Sequence, residues 1–392
     1  MKANNYYVDI ATHSLNKHGE ELCGDKVEVF KTSDRTIIVL ADGLGSGVKA
    51  NILATLTAKI AATMLKEGAS IKDTVDTIVN TLPECQVRKL AYSTFTMIKI
   101  DKSGEVYIAE YDNPPIFIYR NGIDLALNKR KIDINGKTIL ESNFKLMVGD
   151  NISVISDGAV HAGVCALLNL GWQWDNINDY LRDLAKVEKT SRNISGNFIG
   201  VCNNLYEDHP GDDTTIMNIR VREIENIDLF TGPPEDRDMD KWIINKLSKG
   251  NSKKVICGGT TANIASRELN REIYVDIETM AKDVPPMAYM DGIDLVTEGV
   301  LTLKQTLELL KNYSREDFTT KANYLNENNG ASKLANYLIN ECTHVHFWVG
   351  KAVNPAHQNP NFPTSLNIKL KIVGELANEL ENIGKQVTIT YI

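Results

Sequence analysis

Acidic residues lie at the ends of apolar runs in three places along the chain, and this pattern constrains the fold more than any other feature. Asp42 and Asp157 each follow such a run, and the pair Asp212–Asp213 precedes another. An uninterrupted apolar run is typical of a buried strand, and a carboxylate at its end is costly to bury without a partner. Carboxylates brought together from three strands would repel one another unless a hard cation lay between them, and oxygen ligands suit Mg²⁺ or Mn²⁺. The pattern therefore predicts a hydrolase site that holds two metal ions.

The length, charge and cysteine content of the chain limit its class. Its 392 residues predict two domains. The net charge of −8 argues against nucleic-acid binding, which needs a basic surface. Six cysteines are scattered without a C-x-x-C spacing, which favours a reduced, cytoplasmic setting over a disulfide framework. The N-terminus lacks an apolar signal core and no run of about 20 apolar residues occurs, so we expect no membrane contact.

Residues 1–225 show the periodicities of an α+β domain with antiparallel sheets. In the first predicted helix, Ala50, Leu56 and Ile60 lie on one apolar face, which we expect to be buried. The predicted strands lie at 6–12, 23–30, 36–41, within 93–157 and at 216–221, and the predicted helices at 48–66, 71–81 and 159–186.

Residues 226–392 are predicted to form a second domain, of the α/β class. The Pro- and Asp-rich residues 231–238 mark the boundary between the domains, and residues 291–294 and 297–299 are expected to be loops. We expect this domain to be regulatory, ligand-sensing or dimerising, which leaves a homodimer open. Its predicted helices lie at 239–248, 262–269, 303–313 and 368–383, and its predicted strands at 253–257, 344–349 and 386–392.

Two ligand sites are considered in this second domain. The loop Gly258-Gly259-Thr260-Thr261, between a strand and a helix, could direct backbone N–H groups at a small anionic ligand, and an ordinary turn is the alternative. Cys342, His344 and His346 alternate along the chain and would share one strand face, where they could bind Zn²⁺. Simple packing of that face is the interpretation we favour.

The glycine-rich loop after Asp42 does not fit a nucleotide site. Gly43 and Gly45 begin a dinucleotide-binding pattern, but Val48 stands where a third glycine is needed, and no Gly-Lys-Ser/Thr follows. A carboxylate at this strand end would also repel a pyrophosphate. We therefore interpret the loop as a tight turn beside a metal site.

The motifs occur in an order and spacing that resembles the metal-dependent (PPM) Ser/Thr protein phosphatases, in the branch of the bacterial sporulation stage II protein E. The resemblance covers about residues 5–222, and it implies an antiparallel β-sandwich flanked by helix pairs. The motifs that carry it are Cys23-Gly24-Asp25, Ala41-Asp42-Gly43-Leu44-Gly45-Ser46-Gly47, Ser93-Thr94-Phe95-Thr96, Asn113-Pro114-Pro115, Gly149-Asp150, Ser156-Asp157-Gly158 and Gly211-Asp212-Asp213-Thr214-Thr215.

The resemblance also implies a role for each acidic residue. Asp42 would bridge two Mn²⁺ or Mg²⁺ ions, and the carbonyl of Gly43 would bind the second ion. Asp157 and Asp212 would hold the first ion, and Asp25 would help to orient the second through water. Asp213 would only support its loop, and helices 48–66 and 71–81 would be the family's switch helices.

The chain departs from the family pattern in the groups that would protonate the leaving group and bind the phosphate. Leu44 stands where eukaryotic relatives carry a His, so His18 and His161 are the alternatives as general acid. Lys17 is a weak substitute for the phosphate-binding Arg of those relatives.

The function implied is hydrolysis of phosphoserine or phosphothreonine on a bacterial signalling phosphoprotein. Metal-activated water would be the nucleophile, so no Cys or Ser nucleophile is required. Two alternatives stay open. One is a non-catalytic, phosphatase-like scaffold that binds a partner or ligand through residues 226–392, and the other is a hydrolase of small phosphoesters.

Overall fold

The computed structural model of the chain describes residues 6–32, 34–81, 93–164, 166–315, 323–352 and 364–392. The chain divides into two compact units, Met1–Glu223 and Ile224–Ile392. The Pro- and Asp-rich residues 231–238, which we expected to separate the domains, lie inside the second unit. They follow its first strand, so they form a turn at a strand end.

The first unit consists of two antiparallel sheets. One has the strand order β1-β11-β10-β6-β7 and the other the order β2-β3-β4-β5-β9-β8. The elements of the unit are β1 (Tyr6–Leu15), β2 (Asp25–Lys31), β3 (Arg35–Gly43), α1 (Gly47–Lys66), α2 (Ile71–Thr81), β4 (Ser93–Asp101), β5 (Glu105–Tyr111), β6 (Phe117–Arg120), β7 (Ile123–Asp124), β8 (Arg130–Ile134), β9 (Lys137–Lys145), β10 (Asp150–Ile155), α3 (Asp157–Val160), α4 (Trp174–Val187), α5 (Ser191–Leu205) and β11 (Thr214–Glu223).

The inner faces of the two sheets pack against each other and form the central core of the first unit. Ile38 and Ile98 of the second sheet belong to the same buried cluster as Ile152 and Ile219 of the first. Helices α1 and α2 cover the outer face of the second sheet, and α4 and α5 cover the outer face of the first. The predicted β-sandwich flanked by helix pairs is therefore confirmed.

Helix α1 buries the predicted face only in part, because Ala50 is buried and Ile60 packs against the core but Leu56 does not. Its buried side is rich in alanine, including Ala54 and Ala58, because small side chains let the helix lie close to the sheet. Leu56, predicted to be buried, is exposed. Among the residues that the structure describes, α1 is the one helix that could cross a membrane by its length and composition. Our prediction from the sequence did not single out this segment. A core helix passes the same test, and the alanine face of α1 packs on the sheet as the face of a core helix does.

The helical prediction for residues 159–186 is wrong in its middle. Helix α3 ends at Val160 and α4 begins only at Trp174, because Gly163 and Gly171 adopt positive φ angles between them. Helix α5 was not predicted at all. Its glycines lower the helical propensity of the segment, although Thr190 caps it by accepting a hydrogen bond from the Asn193 amide.

The second unit is a three-layer α/β structure. Its sheet has the order β14-β15-β16-β13-β12-β17-β18, in which the five strands from β16 to β18 are parallel. Helices α8, α9 and α10 pack on one face, and α6 and α7 on the other. The elements are β12 (Asn226–Thr231), α6 (Met239–Ser248), β13 (Lys253–Cys257), α7 (Gly259–Leu269), β14 (Tyr274–Asp276), β15 (Met287–Met290), β16 (Ile293–Thr297), α8 (Val300–Arg315), α9 (Gly330–Asn340), β17 (His344–Val349), α10 (Thr364–Asn382) and β18 (Gln386–Tyr391), with 3₁₀ turns at Ile277–Thr279 and Asn323–Asn326.

The predicted α/β class of this unit is confirmed, but several of its elements were missed. The central strand β12 was assigned to no element, and β16 occupies residues that we expected to belong to loops. The two strands have six and five residues, and their sequences do not sustain the polar–apolar alternation that would distinguish a strand from a loop.

The Gly149-Asp150 motif serves the fold of the first unit. Asp150 is fully buried and accepts hydrogen bonds from Nε and Nη2 of Arg120, at 2.7 and 2.9 Å, and from the Met147 amide. We expect Asp150→Ala to lower the free energy of unfolding of the first unit by about 3–5 kcal/mol, because the partly buried guanidinium loses its charge partner. Amide hydrogen exchange of β10 and β11 in urea measures this loss.

Asp124→Ala is the matched control for this variant. Asp124 also pairs with an arginine, Arg182, but its side chain is half exposed. We expect a loss of about 0–1 kcal/mol, as for other surface pairs. Equal losses in the two variants would contradict a special role for Asp150.

Candidate active site

Four of the predicted acidic residues meet at one end of the sandwich. Asp25 begins β2 and lies directly opposite Asp42, near the end of β3. Asp157 begins α3 immediately after β10, and Asp212 lies two residues before β11, the neighbour of β10. One sheet therefore contributes Asp25 and Asp42, and the other contributes Asp157 and Asp212. We refer to these four residues as the acidic cluster.

The carboxylates of the acidic cluster interact strongly. Burial, and then the charges of Asp25 and Asp157, raise the pKa of Asp42 to about 10, and a hydrogen bond to Asp157 acts in the same direction. Burial raises the pKa of Asp25 to about 6. Burial and the charge of Asp157 also raise the pKa of Asp212. Each shift has the sign expected for negative groups that are crowded together and partly removed from water.

Polar side chains that the sequence interpretation did not assign tie the two sheets together at this site. Ser156 donates a hydrogen bond to Oδ2 of Asp25 at 2.7 Å, and its hydroxyl accepts one from the Thr215 amide. Asn113 donates to the Thr96 hydroxyl of one sheet and to the Ile155 carbonyl of the other. Their positions beside the acidic motifs were the available signal, since Ser156 directly precedes Asp157 and Asn113 begins the Asn-Pro-Pro motif.

Glycines of the acidic motifs allow the chain segments to approach closely. A Cβ atom on Gly43 would lie 2.1 Å from the Ala50 carbonyl oxygen of α1, and one on Gly158 would lie 2.1 Å from the Asp213 carbonyl oxygen. A side chain at either position would therefore push main-chain segments apart. Asp42 and Asp157 are each followed by glycine for this steric reason.

The loop between β1 and β2 borders the site. The Lys17 amide donates a hydrogen bond to Oδ1 of the buried Asp213, and the Lys17 charge opposes the rise in the pKa of Asp212. The His18 ring lies 4.5 Å from the ring of His209, and His18 is exposed. His161, also exposed, ends the short helix that Asp157 begins. Lys17, His18 and His161 therefore all lie near the acidic motifs.

The donors of the acidic cluster fit a hard divalent cation. All of them are oxygens, and the buried Oδ1 of Asp25 accepts no hydrogen bond from the described residues. The same is true of Oδ2 of Asp213, which lies next to the cluster. Over the parts of the chain that the structure describes, no three His, Cys, Asp or Glu side chains are arranged as they would be around an ion. The cluster is thus a set of crowded candidate ligands for Mn²⁺ or Mg²⁺, without a closed coordination shell.

The two sites considered in the second unit have different outcomes. Residues 259–261 form the first turn of α7, where we expected a loop. Cys342 precedes β17, and its thiol donates to the Leu338 carbonyl. The His346 ring stacks on Trp348 at 3.9 Å and hydrogen-bonds the Thr390 hydroxyl. These contacts favour packing of this strand face over Zn²⁺ binding.

Part of the chain is similar to a known protein family. Residues 32–222 match the model of the family described as Stage II sporulation protein E (SpoIIE). The match spans β3 to β11 and includes Asp42, Asp157 and Asp212, whereas Asp25 precedes it. The comparison with curated proteins found no match.

Several solved structures are similar to part of the chain. The PP2C phosphatase domain with a fragment of the regulatory domain of SpoIIE from Bacillus subtilis shares 20% identity with a TM-score of 0.47, over 56% of this chain and 64% of that one. This chain therefore spans less than two thirds of that structure. The phosphatase domain of the same protein without domain swapping shares 21% identity with a TM-score of 0.42, over 56% and 94% of the two chains.

A third structure, of the RsbU and RsbW domains of a Mycobacterium tuberculosis protein, shares 16% identity with a TM-score of 0.47, over 62% and 68% of the two chains. The assignment rests on the family model, since its matched residues include strands of both sheets, without β1 and β2, and three members of the acidic cluster. The first unit of this chain therefore contains a SpoIIE-family domain.

Proposed function

We propose that the first unit hydrolyses phosphoserine or phosphothreonine on a signalling phosphoprotein in the cytoplasm, with the help of Mn²⁺ or Mg²⁺. The observation that carries the proposal is the meeting of Asp25 and Asp42 from one sheet with Asp157 and Asp212 from the other. Crowded, partly buried carboxylates destabilise a fold, so their presence together favours a role in binding cations.

The side chains of the cluster have separate roles in this proposal. Asp42, Asp157 and Asp212 would hold two ions, together with the carbonyl of Gly43, and Asp25 would act on one ion through water. The ions, when bound, supply an activated water for in-line attack and neutralise the phosphoryl oxygens. Ser156 positions Asp25 through its 2.7 Å hydrogen bond.

The residues at the border of the site would interact with the substrate phosphate and the leaving group. Lys17 offers a positive charge near Asp212 that suits a phosphate oxygen. Leu44 cannot donate a proton, so protonation of the leaving alkoxide is assigned to solvent or to the exposed His18 or His161.

An exposed apolar stripe on α1 favours a protein substrate over a small phosphoester. Val48, Ile52 and Leu56 lie one turn apart and are 60%, 51% and 45% exposed. Helix α1 contacts the site, because the Ala50 carbonyl lies against Gly43. A contiguous apolar stripe beside a catalytic centre suits contact with a protein surface.

Divalent metal should stabilise the first unit through the acidic cluster. We expect Mn²⁺ at about one hundred times its Kd to add about 2.7 kcal/mol to the free energy of unfolding. Asp42→Asn should lose this gain while melting in EDTA at least as high as the wild type, because the substitution removes repulsion. Glu105→Gln, an exposed carboxylate on β5, is the control and should keep the full gain. Calorimetric melting with and without Mn²⁺ measures the gain in the wild type and in both variants. If Asp42→Asn kept the full gain, Asp42 would not belong to a metal site.

Catalysis is tested with p-nitrophenyl phosphate and a phosphoserine peptide, each with Mn²⁺ and with EDTA. We expect turnover only with metal, a higher kcat/KM for the peptide, and a loss of at least about 100-fold in Asp157→Asn, as for other groups that stabilise developing charge. Glu105→Gln should remain fully active.

The same assays separate the alternative functions. Metal-dependent stabilisation without turnover of either substrate would favour the non-catalytic scaffold. Turnover of p-nitrophenyl phosphate with no gain for the peptide would favour a hydrolase of small phosphoesters.

A further inference from the structure

The parallel sheet of the second unit contains a topological switch point. Strands β12 and β17 are neighbours, but the chain leaves β12 for β13 on one side and leaves β17 for β18 on the other. Connections that diverge in this way leave a crevice beyond the carboxyl ends of the two strands, where open α/β sheets bind ligands. Thr231 and Val349 are the last residues of the two strands, and the main chain beyond them stays paired through the Gly350 amide, which donates to the Thr231 carbonyl, and the Ala352 amide, which donates to the Pro233 carbonyl.

Glycines line the ends of the central strands at this crevice. Gly232 follows β12, Gly258 follows β13 and Gly350 follows β17. A Cβ atom on Gly350 would lie 2.1 Å from the Pro233 carbonyl oxygen, and one on Gly232 would lie 2.1 Å from Nζ of Lys369. Because Gly232 has no side chain, the ammonium of Lys369, in helix α10, can reach the switch point.

Lys369 of α10 is a buried charge that pairs with no carboxylate among the residues that the structure describes. It is 8% exposed, and its ammonium donates one hydrogen bond, to the Gly350 carbonyl at 2.5 Å. Within the described ranges no carboxylate pairs with it, and burial lowers its pKa. An ammonium has three N–H donors, so two remain for a ligand. Burying an unpaired charge is costly, so its presence indicates an anion that is bound in the functional state.

The N-terminus of α7 faces the same point. The Gly232 amide, beside Lys369, donates to the Thr261 hydroxyl in the first turn of α7 at 2.9 Å. No side chain caps this eleven-residue helix, and Gly259 and Thr260 are exposed. The neighbouring α8 differs, because the Glu298 carboxylate accepts from the Leu301 amide there. Free N–H groups and the helix dipole at α7 thus add to the positive charge of Lys369.

We propose that this crevice binds the phosphate group of a small phosphorylated ligand between the Lys369 ammonium and the N-terminus of α7. A phosphate is favoured over a carboxylate because its oxygens can accept both the ammonium donors and several main-chain N–H groups. The site is separate from the acidic cluster of the first unit, and it does not depend on hydrolytic activity.

The full chain is titrated by calorimetry in EDTA with two probes, inorganic phosphate and AMP, at constant ionic strength. EDTA keeps either probe from binding through metal at the acidic cluster. We expect saturable binding of at least one probe, with tighter binding of AMP indicating a phosphorylated metabolite and equal binding indicating recognition of the phosphate alone. Binding of neither probe by the wild type would overturn the proposal.

Lys369→Met keeps the aliphatic stem and removes the charge. We expect at least tenfold weaker binding together with an unchanged or higher melting temperature, because the unpaired charge is lost. The control is Lys385→Met, in the same unit. Lys385 is also buried, but its ammonium donates to the Ile339 and Cys342 carbonyls at the end of α9. This control should melt lower and bind normally, and a Lys369→Met variant that behaved like it would refute the site.

A second pair of variants tests the helix terminus without touching a charge. Gly259→Pro removes one N–H at the first helical position, where proline is tolerated. Gly259→Ala keeps that N–H, and a Cβ atom there meets no other atom within 4 Å. We expect several-fold weaker binding in the proline variant and wild-type affinity in the alanine variant. Equal affinities would exclude α7 from the site.

Discussion

The antiparallel pairing of β2 with β3 places Asp25 directly opposite Asp42, and burial and the charge of Asp25 raise the pKa of Asp42, so the rest of the site must hold two carboxylates that repel each other. The two sheets and the close contact between Gly43 and α1 keep these carboxylates together despite their electrostatic repulsion. Ser156 and Asn113 connect the sheets at the same end, so that the acidic cluster cannot relax by spreading. A fold that keeps such a group together gives up stability in exchange for a site that is organised before a cation binds.

The sequence predicted those features of the first unit that depend on local pattern. The strands that end at Asp42 and Asp157 and the helices at 48–66 and 71–81 agree with the structure, because each has a strong period. The predicted buried face of α1 was right at Ala50 but wrong at Leu56, since leucine is more apolar than alanine but only alanine fits so close to the sheet. The apolar runs located Asp42, Asp157 and the pair Asp212–Asp213, and the resemblance to a family added Asp25. The link from Ser156 to Asp25 depends on packing between sheets.

The second unit shows the limit of local pattern more clearly. The strand pairing that creates the switch point joins β12 to β17, which begins more than one hundred residues later, and no periodicity encodes such a partner. Lys369 lies in a helix that was predicted, but its burial follows from the absence of a side chain at Gly232. In both units the informative observation is therefore a charge that the chain itself leaves unbalanced. The first unit has crowded carboxylates, and the second has a buried ammonium that no described carboxylate balances.

The pairing of β1 with β11 has a consequence for how the protein is made. Ser14 and Thr215, which hydrogen-bond across these strands, are 201 positions apart. During synthesis β1 therefore has no partner until the ribosome has released almost the whole first unit, and contacts of such sequence separation form slowly. Asp212 arrives with the same late segment. Asp25 and Asp42 already face each other in the early β2–β3 pair, so Asp212 joins carboxylates and a surrounding core that have been synthesised before it.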